Sequence, residues 1–203
     1  RINPSDGPVP DFKAGQFVTI GLHIPKEGKI IRRAYSIASP PEQKKYFELI
    51  IRWVRKPLPG RLTTELFNIT EGDDVLWVKP TGIFTINHKK HDGTDDNRRM
   101  VLIGGGTGLA PFISYSLHLK AMRSKREIIV LHGASYVDEL SYRELLSELE
   151  SESLDLGPNV WNFRYRASIS RPQEWFNRTW SGQKGRVESF LRPKPGTDRS
   201  PLE

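Results

Sequence analysis

Two short stretches combine residue types that grip phosphate or stack on flat rings. Arg33-Ala34-Tyr35-Ser36 joins a guanidinium, an aromatic ring and a hydroxyl within four consecutive residues. An arginine pairs with phosphate through a charge-assisted fork, a tyrosine ring stacks on a planar heterocycle, and a hydroxyl hydrogen-bonds a ring nitrogen. Alternation along a strand sends Arg33 and Tyr35 to one face and Ala34 and Ser36 to the other. The same residues also make an ordinary half-exposed strand, and both readings stand on them alone. The second stretch is Gly104-Gly105-Gly106-Thr107-Gly108-Leu109-Ala110-Pro111, which follows the apolar run Met100 to Ile103. Glycines there let backbone N–H groups approach an anion at the positive end of a helix. Pro111 suits the first helical turn, where a missing N–H is harmless. The cluster is neither the spaced dinucleotide fingerprint GxGxxG nor a P-loop, because no Lys-Ser/Thr follows. A glycine-rich turn without a ligand is the alternative.

These residues need elements to hold them. In the first half, Phe17 to Leu22, Ile30 to Ile37 and Tyr46 to Val54 are rich in β-branched and aromatic residues and are bounded by Gly, Pro and charge. Asp74 to Val78 and Ile83 to Ile86 continue the series, with one helical interruption at Arg61 to Phe67. Short strands with few helices predict a small antiparallel β-barrel or sandwich. The polar stretch 87–99 has no periodicity and marks a boundary, giving domains at 1–96 and 97–203. Its histidines, His88 and His91, have no supporting pattern of metal ligands, and no metal site is expected.

The grammar then changes. Arg99 to Ile103, Glu127 to Leu131 and Trp161 to Ile169 read as strands. Between and after them, Ala110 to Met122, the stretch carrying Tyr142, Leu145, Leu146 and Leu149, and Arg186 to Leu191 read as helices. Strand–helix alternation predicts a parallel, doubly wound sheet.

Composition narrows the chemistry. The 203 residues contain no cysteine, which excludes disulfides, a thiol nucleophile and a cysteine-ligated cluster within them. No apolar run approaches membrane-spanning length and no signal peptide opens the chain, so a cytoplasmic location is expected. The net charge of +7 fits three things: a solvated surface, attraction to nucleic acid, or steering of an acidic protein or phosphorylated cofactor. The basic residues form short clusters at element ends rather than basic arms.

Taken together, the motifs resemble the ferredoxin–NADP reductase superfamily, in register over nearly the whole chain. They are Arg33 to Ser39, then Gly60-Arg61-Leu62-Thr63-Thr64, Lys79 to Phe84, the Gly104–Pro111 cluster, His132-Gly133-Ala134, Asp138 to Tyr142, Ile169-Ser170-Arg171 and Gly185-Arg186. The resemblance is nearest to bacterial-type ferredoxin/flavodoxin–NADP reductases, followed by oxygenase reductase components. It implies an FAD-binding β-barrel followed by an NAD(P)-binding domain, with hydride passing from NAD(P)H to bound FAD and electrons onward to an acidic carrier, ferredoxin or flavodoxin. Arg33 would pair with the FAD pyrophosphate, Tyr35 would stack on the isoalloxazine, and Ser36 would hydrogen-bond near its reacting nitrogen. Gly60, Arg61, Leu62 and Thr63 would hold the pyrophosphate, while Gly106, Thr107 and Gly108 would admit the nicotinamide nucleotide. Arg171 and Arg186 match positions that recognise a 2′-phosphate, which implies NADP with NAD as the alternative. Hydride transfer needs no general acid or base, so the catalytic roles fall to Tyr35 and Ser36 as ring-positioning groups.

Two departures bear on these expectations. Ser135 stands where many of these relatives carry a third phosphate-binding arginine. The family's Cys-Gly motif and C-terminal aromatic are absent from the sequence, and its start falls inside or after the first barrel strand, so a fragment with an exposed sheet edge is expected. The rival functions are a flavin reductase that treats flavin as a substrate, a basic nucleic-acid-binding protein, and a regulatory domain that binds nucleotide without turnover.

Overall fold

The computed structural model describes residues 1–53 and 57–193. Contacts divide the described residues into two compact units, one of residues within 1–88 with 110–121, the other of residues 89–109 with 122–193.

In the first unit, β1 (Phe17–Ile24) lies between β2 (Lys29–Ser36) and β3 (Leu76–Thr81), antiparallel to both. On one face of β1, Val18, Ile20, Leu22 and Ile24 are buried, and the first two have no exposed surface. Burial of each contributes roughly 1.5–3 kcal/mol. Val18 and Ile20 join Val9, Phe12, Ile37 and Phe47 in one cluster, while Leu22 and Ile24 join Ile31 and Leu62 in another.

Residues 46–53 keep the expected alternation but not the ladder. Phe47, Leu49 and Ile51 face the core, yet pairing is reduced to single bridges, Ile2 with Phe47 and Ile37 with Leu49. The Ser39 hydroxyl accepts from the Glu48 N–H at 3.1 Å, diverting a donor that a continuous strand would use. Val54, the last residue of that expected strand, lies outside the described residues. The expected strand at 83–86 is also irregular: Thr85 N–H turns back to the Ile83 carbonyl at 2.9 Å, and the Ile83 side chain is fully exposed.

Helix α1 spans Arg61–Leu66 and α2 spans Ala110–Ala121. Helix α2 packs with the first unit through specific polar contacts. The Ser114 hydroxyl donates to the Ser39 carbonyl at 2.8 Å, and the Tyr115 hydroxyl donates to the Phe84 carbonyl at 2.8 Å.

The second unit is a parallel sheet of β4 (Met100–Gly105), β5 (Ile128–Ala134), β6 (Phe163–Ile169) and β7 (Gln183–Lys184), in that order. A strand flanked on both sides and covered on both faces carries a nearly continuous apolar run. β5 is such a strand: Ile128, Ile129, Val130 and Leu131 are all at most 1 % exposed. Helix α3 (Arg143–Leu156) packs on β6, its buried Leu149 and Ser153 meeting Trp161 and Phe163. The Ser153 hydroxyl donates to the Trp161 carbonyl and accepts from the Phe163 N–H, so a polar helix residue is satisfied inside the core.

The other face of β5 is covered by Val187 and Phe190. These lie in a 3-10 turn, Val187–Leu191, where the sequence predicted an α-helix. Arg192 is extended (φ −87°, ψ 140°), as Pro193 requires of its predecessor, and the turn ends there. Among the described residues, no helix is long and apolar enough to cross a membrane.

Candidate functional site

The flavin-side candidates lie on β2 and at the start of α1. Arg33 pairs across the ladder with Ile20, Tyr35 with Val18 and Ser36 with Phe17. Tyr35 is half-buried and packs against both core clusters, which fixes its ring. Burial raises the Tyr35 hydroxyl above its ordinary pKa, and the Arg33 guanidinium partly offsets this. The two residues have the same parity on β2, which places them on one face of the strand. Arg33 itself is exposed and donates from Nη1 to the Arg32 carbonyl at 2.7 Å.

Gly60 caps α1 with extended backbone (φ −67°, ψ 129°). Any residue tolerates that conformation, but a Cβ here would stand 2.3 Å from Thr63 Oγ1. The hydroxyl folds back over the helix start, 3.3 Å from the Gly60 carbonyl. The first N–H groups of α1 thus stand at a helix start suited to an anion, and the Thr63 hydroxyl can join them as a donor by giving up its bond to the Gly60 carbonyl. Arg61 and Leu62 differ from their neighbours. The Arg61 guanidinium forms a two-pronged ion pair with Glu27, which also lies 3.6 Å from Lys29 Nζ. The Leu62 side chain is 2 % exposed and belongs to the core, so only its backbone can serve a ligand.

In the second unit, Gly104 and Gly105 end β4, and a 3-10 turn of Gly106, Thr107, Gly108 and Leu109 leads into α2. Gly106 has φ +53°, in the region that disfavours other residues, and a Cβ at Gly106 or Gly108 would meet nothing within 4 Å. Thr107 and Gly108 are exposed while Leu109 is fully buried, so the turn is anchored from below and open above.

Arg171 and Arg186 leave the same end of the sheet. Ile169 is the last paired residue of β6, its partner Lys184 lies two residues before Arg186, and Gly185 N–H donates to the Ile169 carbonyl at 2.8 Å. Arg171 is exposed and donates from Nη1 to the Tyr136 hydroxyl at 2.8 Å. Arg186 is 82 % exposed and lies 3.3 Å from Glu188, a pair that solvent screens and that holds the arginine only weakly. Ser135 is held by Glu139 Oε2, which accepts from its N–H at 3.2 Å.

Sequence reasoning missed three of these partners. Glu27 is separated from Arg61 by a turn and a strand, and nothing in its own neighbourhood signals the pair. Tyr136 directly follows Ser135 and could have been found by asking what an aromatic does beside a phosphate-binding position. Asn177 is buried in a stretch without periodicity and left no signal.

The oxidoreductase FAD-binding domain family matches residues 5–86, and the oxidoreductase NAD-binding domain family matches residues 102–197. The chain is 34% identical over 152 residues to a ferredoxin–NADP reductase of Pseudomonas aeruginosa, covering 73% of this chain and 54% of that protein. It is 30% identical over 187 residues to one component of the Na(+)-translocating NADH-quinone reductase of Pseudomonas paraeruginosa, covering 87% of this chain and 42% of that one. The chain thus spans about half the length of these curated relatives. Among solved structures it is similar to a Neisseria gonorrhoeae ferredoxin NADP+ reductase with bound FAD and NADP, at 26% identity and a TM-score of 0.61, covering 94% of this chain and 67% of that one. An antiparallel unit carrying the FAD-binding match, followed by a parallel α/β unit carrying the NAD-binding match, places this chain in the ferredoxin–NADP reductase superfamily of oxidoreductases.

Proposed function

We propose that this protein is an NAD(P)H-dependent flavoprotein reductase that passes electrons to a carrier protein such as ferredoxin or flavodoxin. The observation that carries the reading is one chain with both matches, each containing a donor set suited to a dinucleotide phosphate. FAD, when bound, supplies a ring that accepts hydride from nicotinamide and releases electrons singly.

The chain's own residues would bind and orient. Arg33 would neutralise pyrophosphate charge, with the backbone amides of Gly60 to Leu62 and the Thr63 hydroxyl as further donors. The bare helix start and the open space above Gly106 and Gly108 fit phosphate groups better than a filled turn would. Tyr35, clamped by two core clusters, would hold the flavin ring flat, and Ser36 on the alternate face would donate to its edge. Arg171 and Arg186 would receive the 2′-phosphate of NADPH.

A second reading has a specific basis. Ser135 offers only a hydroxyl where relatives carry an arginine, and one relative is part of an NADH-quinone reductase. NADH as the working coenzyme, with a different acceptor, follows from that. The visible spectrum of the purified chain tests both readings. The expected result is a flavin spectrum that survives desalting and is bleached faster by NADPH than by NADH. Faster bleaching by NADH selects the second reading. Flavin lost on desalting points to a flavin reductase, and a colourless protein that refuses added FAD overturns the proposal.

A further inference from the structure

The loops that leave β5 and β6 are braced by one buried side chain. Asn177 is 1 % exposed, at the end of the 3-10 turn Trp175–Asn177. Its Oδ1 accepts from the Val137 N–H at 2.9 Å, and its Nδ2 donates to the carbonyls of Ser135 at 3.0 Å and Arg171 at 2.7 Å. Both N–H donors and the carbonyl of the amide are thus engaged, each with backbone.

What those contacts enclose matters more than their number. Ser135 and Val137 flank Tyr136, and the Tyr136 hydroxyl accepts from Arg171 Nη1 at 2.8 Å. The Arg171 guanidinium carbon also lies 5.4 Å from the centre of the Tyr136 ring. One amide therefore grips the backbone on both sides of the tyrosine and the backbone of the arginine that bonds to it. A long exposed arginine normally loses rotamer freedom when it meets an anion, and a side chain already held in place loses less.

We propose that Asn177 is a positioning residue for coenzyme discrimination, fixing Arg171 and Tyr136 as a preformed site for a 2′-phosphorylated adenosine without touching it. This rests on the assignment of the 2′-phosphate to Arg171. An aliphatic residue at 177 would take the partner from the Ser135 carbonyl and the Val137 N–H and leave the Arg171 carbonyl with the Glu174 N–H alone. Aspartate would retain the acceptor for Val137 but set an anionic oxygen against two carbonyls. Either change loosens the pair that meets the phosphate and leaves the rest of the nucleotide site in place.

Calorimetric titration of the full chain with 2′,5′-ADP and with 5′-AMP tests this, because the two probes differ by the 2′-phosphate. Asn177→Ala and Asn177→Asp should each weaken 2′,5′-ADP by about tenfold and 5′-AMP by less than about twofold. Arg171→Ala should weaken 2′,5′-ADP similarly or more. Equal weakening of both probes in the Asn177 variants would assign Asn177 a general structural role and overturn the proposal, as would unchanged binding of both. If Arg171→Ala leaves the preference for 2′,5′-ADP intact, the assignment of Arg171 falls and the proposal with it. If Arg171→Ala abolishes the preference and the Asn177 variants keep it, only the role of Asn177 falls.

Discussion

Tyr35 and Arg33 sit two residues apart on one strand, yet the fold treats them differently. The tyrosine ring is packed against two core clusters, so its position is a product of folding. Arg33 is exposed and is held by the Arg32 carbonyl, so its role depends on what binds. Replacing it should therefore separate binding from stability. Arg33→Ala removes a charge-assisted contact worth roughly 1.5–3 kcal/mol, which lowers FAD affinity about tenfold or more. Fluorescence titration of the apoprotein with FAD measures this, and wild-type affinity in the variant would remove Arg33 from the flavin site. Stability should move by no more than about 0.5 kcal/mol, as for other surface substitutions. The same contrast divides Gly60 to Thr63. Read as a string, these residues form one phosphate-binding group. In the structure Leu62 is core, Arg61 is engaged by Glu27 and the Thr63 hydroxyl donates to the Gly60 carbonyl, so the backbone amides are the ready donors and the hydroxyl must turn from that carbonyl to serve a ligand.

At the scale of an element, the start of α1 couples two residues through space. A methyl group on residue 60 would lie 2.3 Å from Thr63 Oγ1, so Gly60→Ala must rotate that hydroxyl away from the helix end. If the hydroxyl serves the FAD pyrophosphate, Gly60→Ala and Thr63→Val each weaken FAD by about tenfold, and the double variant loses little more than either alone. Additive losses in that cycle would show that the two residues act separately. Much at this scale was legible in advance. The β-branched run at Phe17 to Leu22, the apolar run of β5 and the glycine turn before α2 are local patterns, and each appears where the sequence put it. What was not legible came from distant partners. Residues 46–53 keep a strand's alternation, but the Ser39 hydroxyl takes the Glu48 N–H and interrupts the ladder. The turn at Val187–Leu191 is different, because its helical pattern is cut short by a local stop, Pro193, which directs Arg192 into extended backbone and stands in plain sight in the sequence. Asn177 acts only by joining two loops that are far apart in sequence. A linear reading sees residue types and spacing, and neither the Ser39–Glu48 bond nor the Asn177 brace is a matter of spacing.

For the molecule as a whole, stability should depend on pH through one buried ring. His132 has no exposed surface, its Nδ1 lies 3.0 Å from the Tyr165 hydroxyl, and its Nε2 has no hydrogen-bond partner among the described residues. Burial pushes its pKa down to about 4, against about 6.5 in an unfolded chain. The folded state therefore keeps the ring neutral while the unfolded chain takes up a proton first. Stability from this group is full above about pH 6.5, falls as the pH drops, and levels off near about pH 4, for a loss on the order of 3 kcal/mol. Asp96 contributes in the opposite sense of charge and in a lower window. The Arg98 guanidinium holds its carboxyl far below the ordinary range, so its contribution is present above an unfolded pKa near 3.8 and is lost below that. A net charge of +7 adds a general penalty on acidification, since every further proton increases self-repulsion. The His132 component is isolated by difference. His132→Gln removes the titrating ring and keeps a polar group within reach of Tyr165. Denaturant midpoints of the two proteins, measured between about pH 7 and about pH 4.5, should diverge in slope, with the wild type losing stability more steeply than the variant. Parallel curves across that window would mean that the buried histidine takes up its proton as readily folded as unfolded, and that the acid sensitivity of the fold lies in its overall charge.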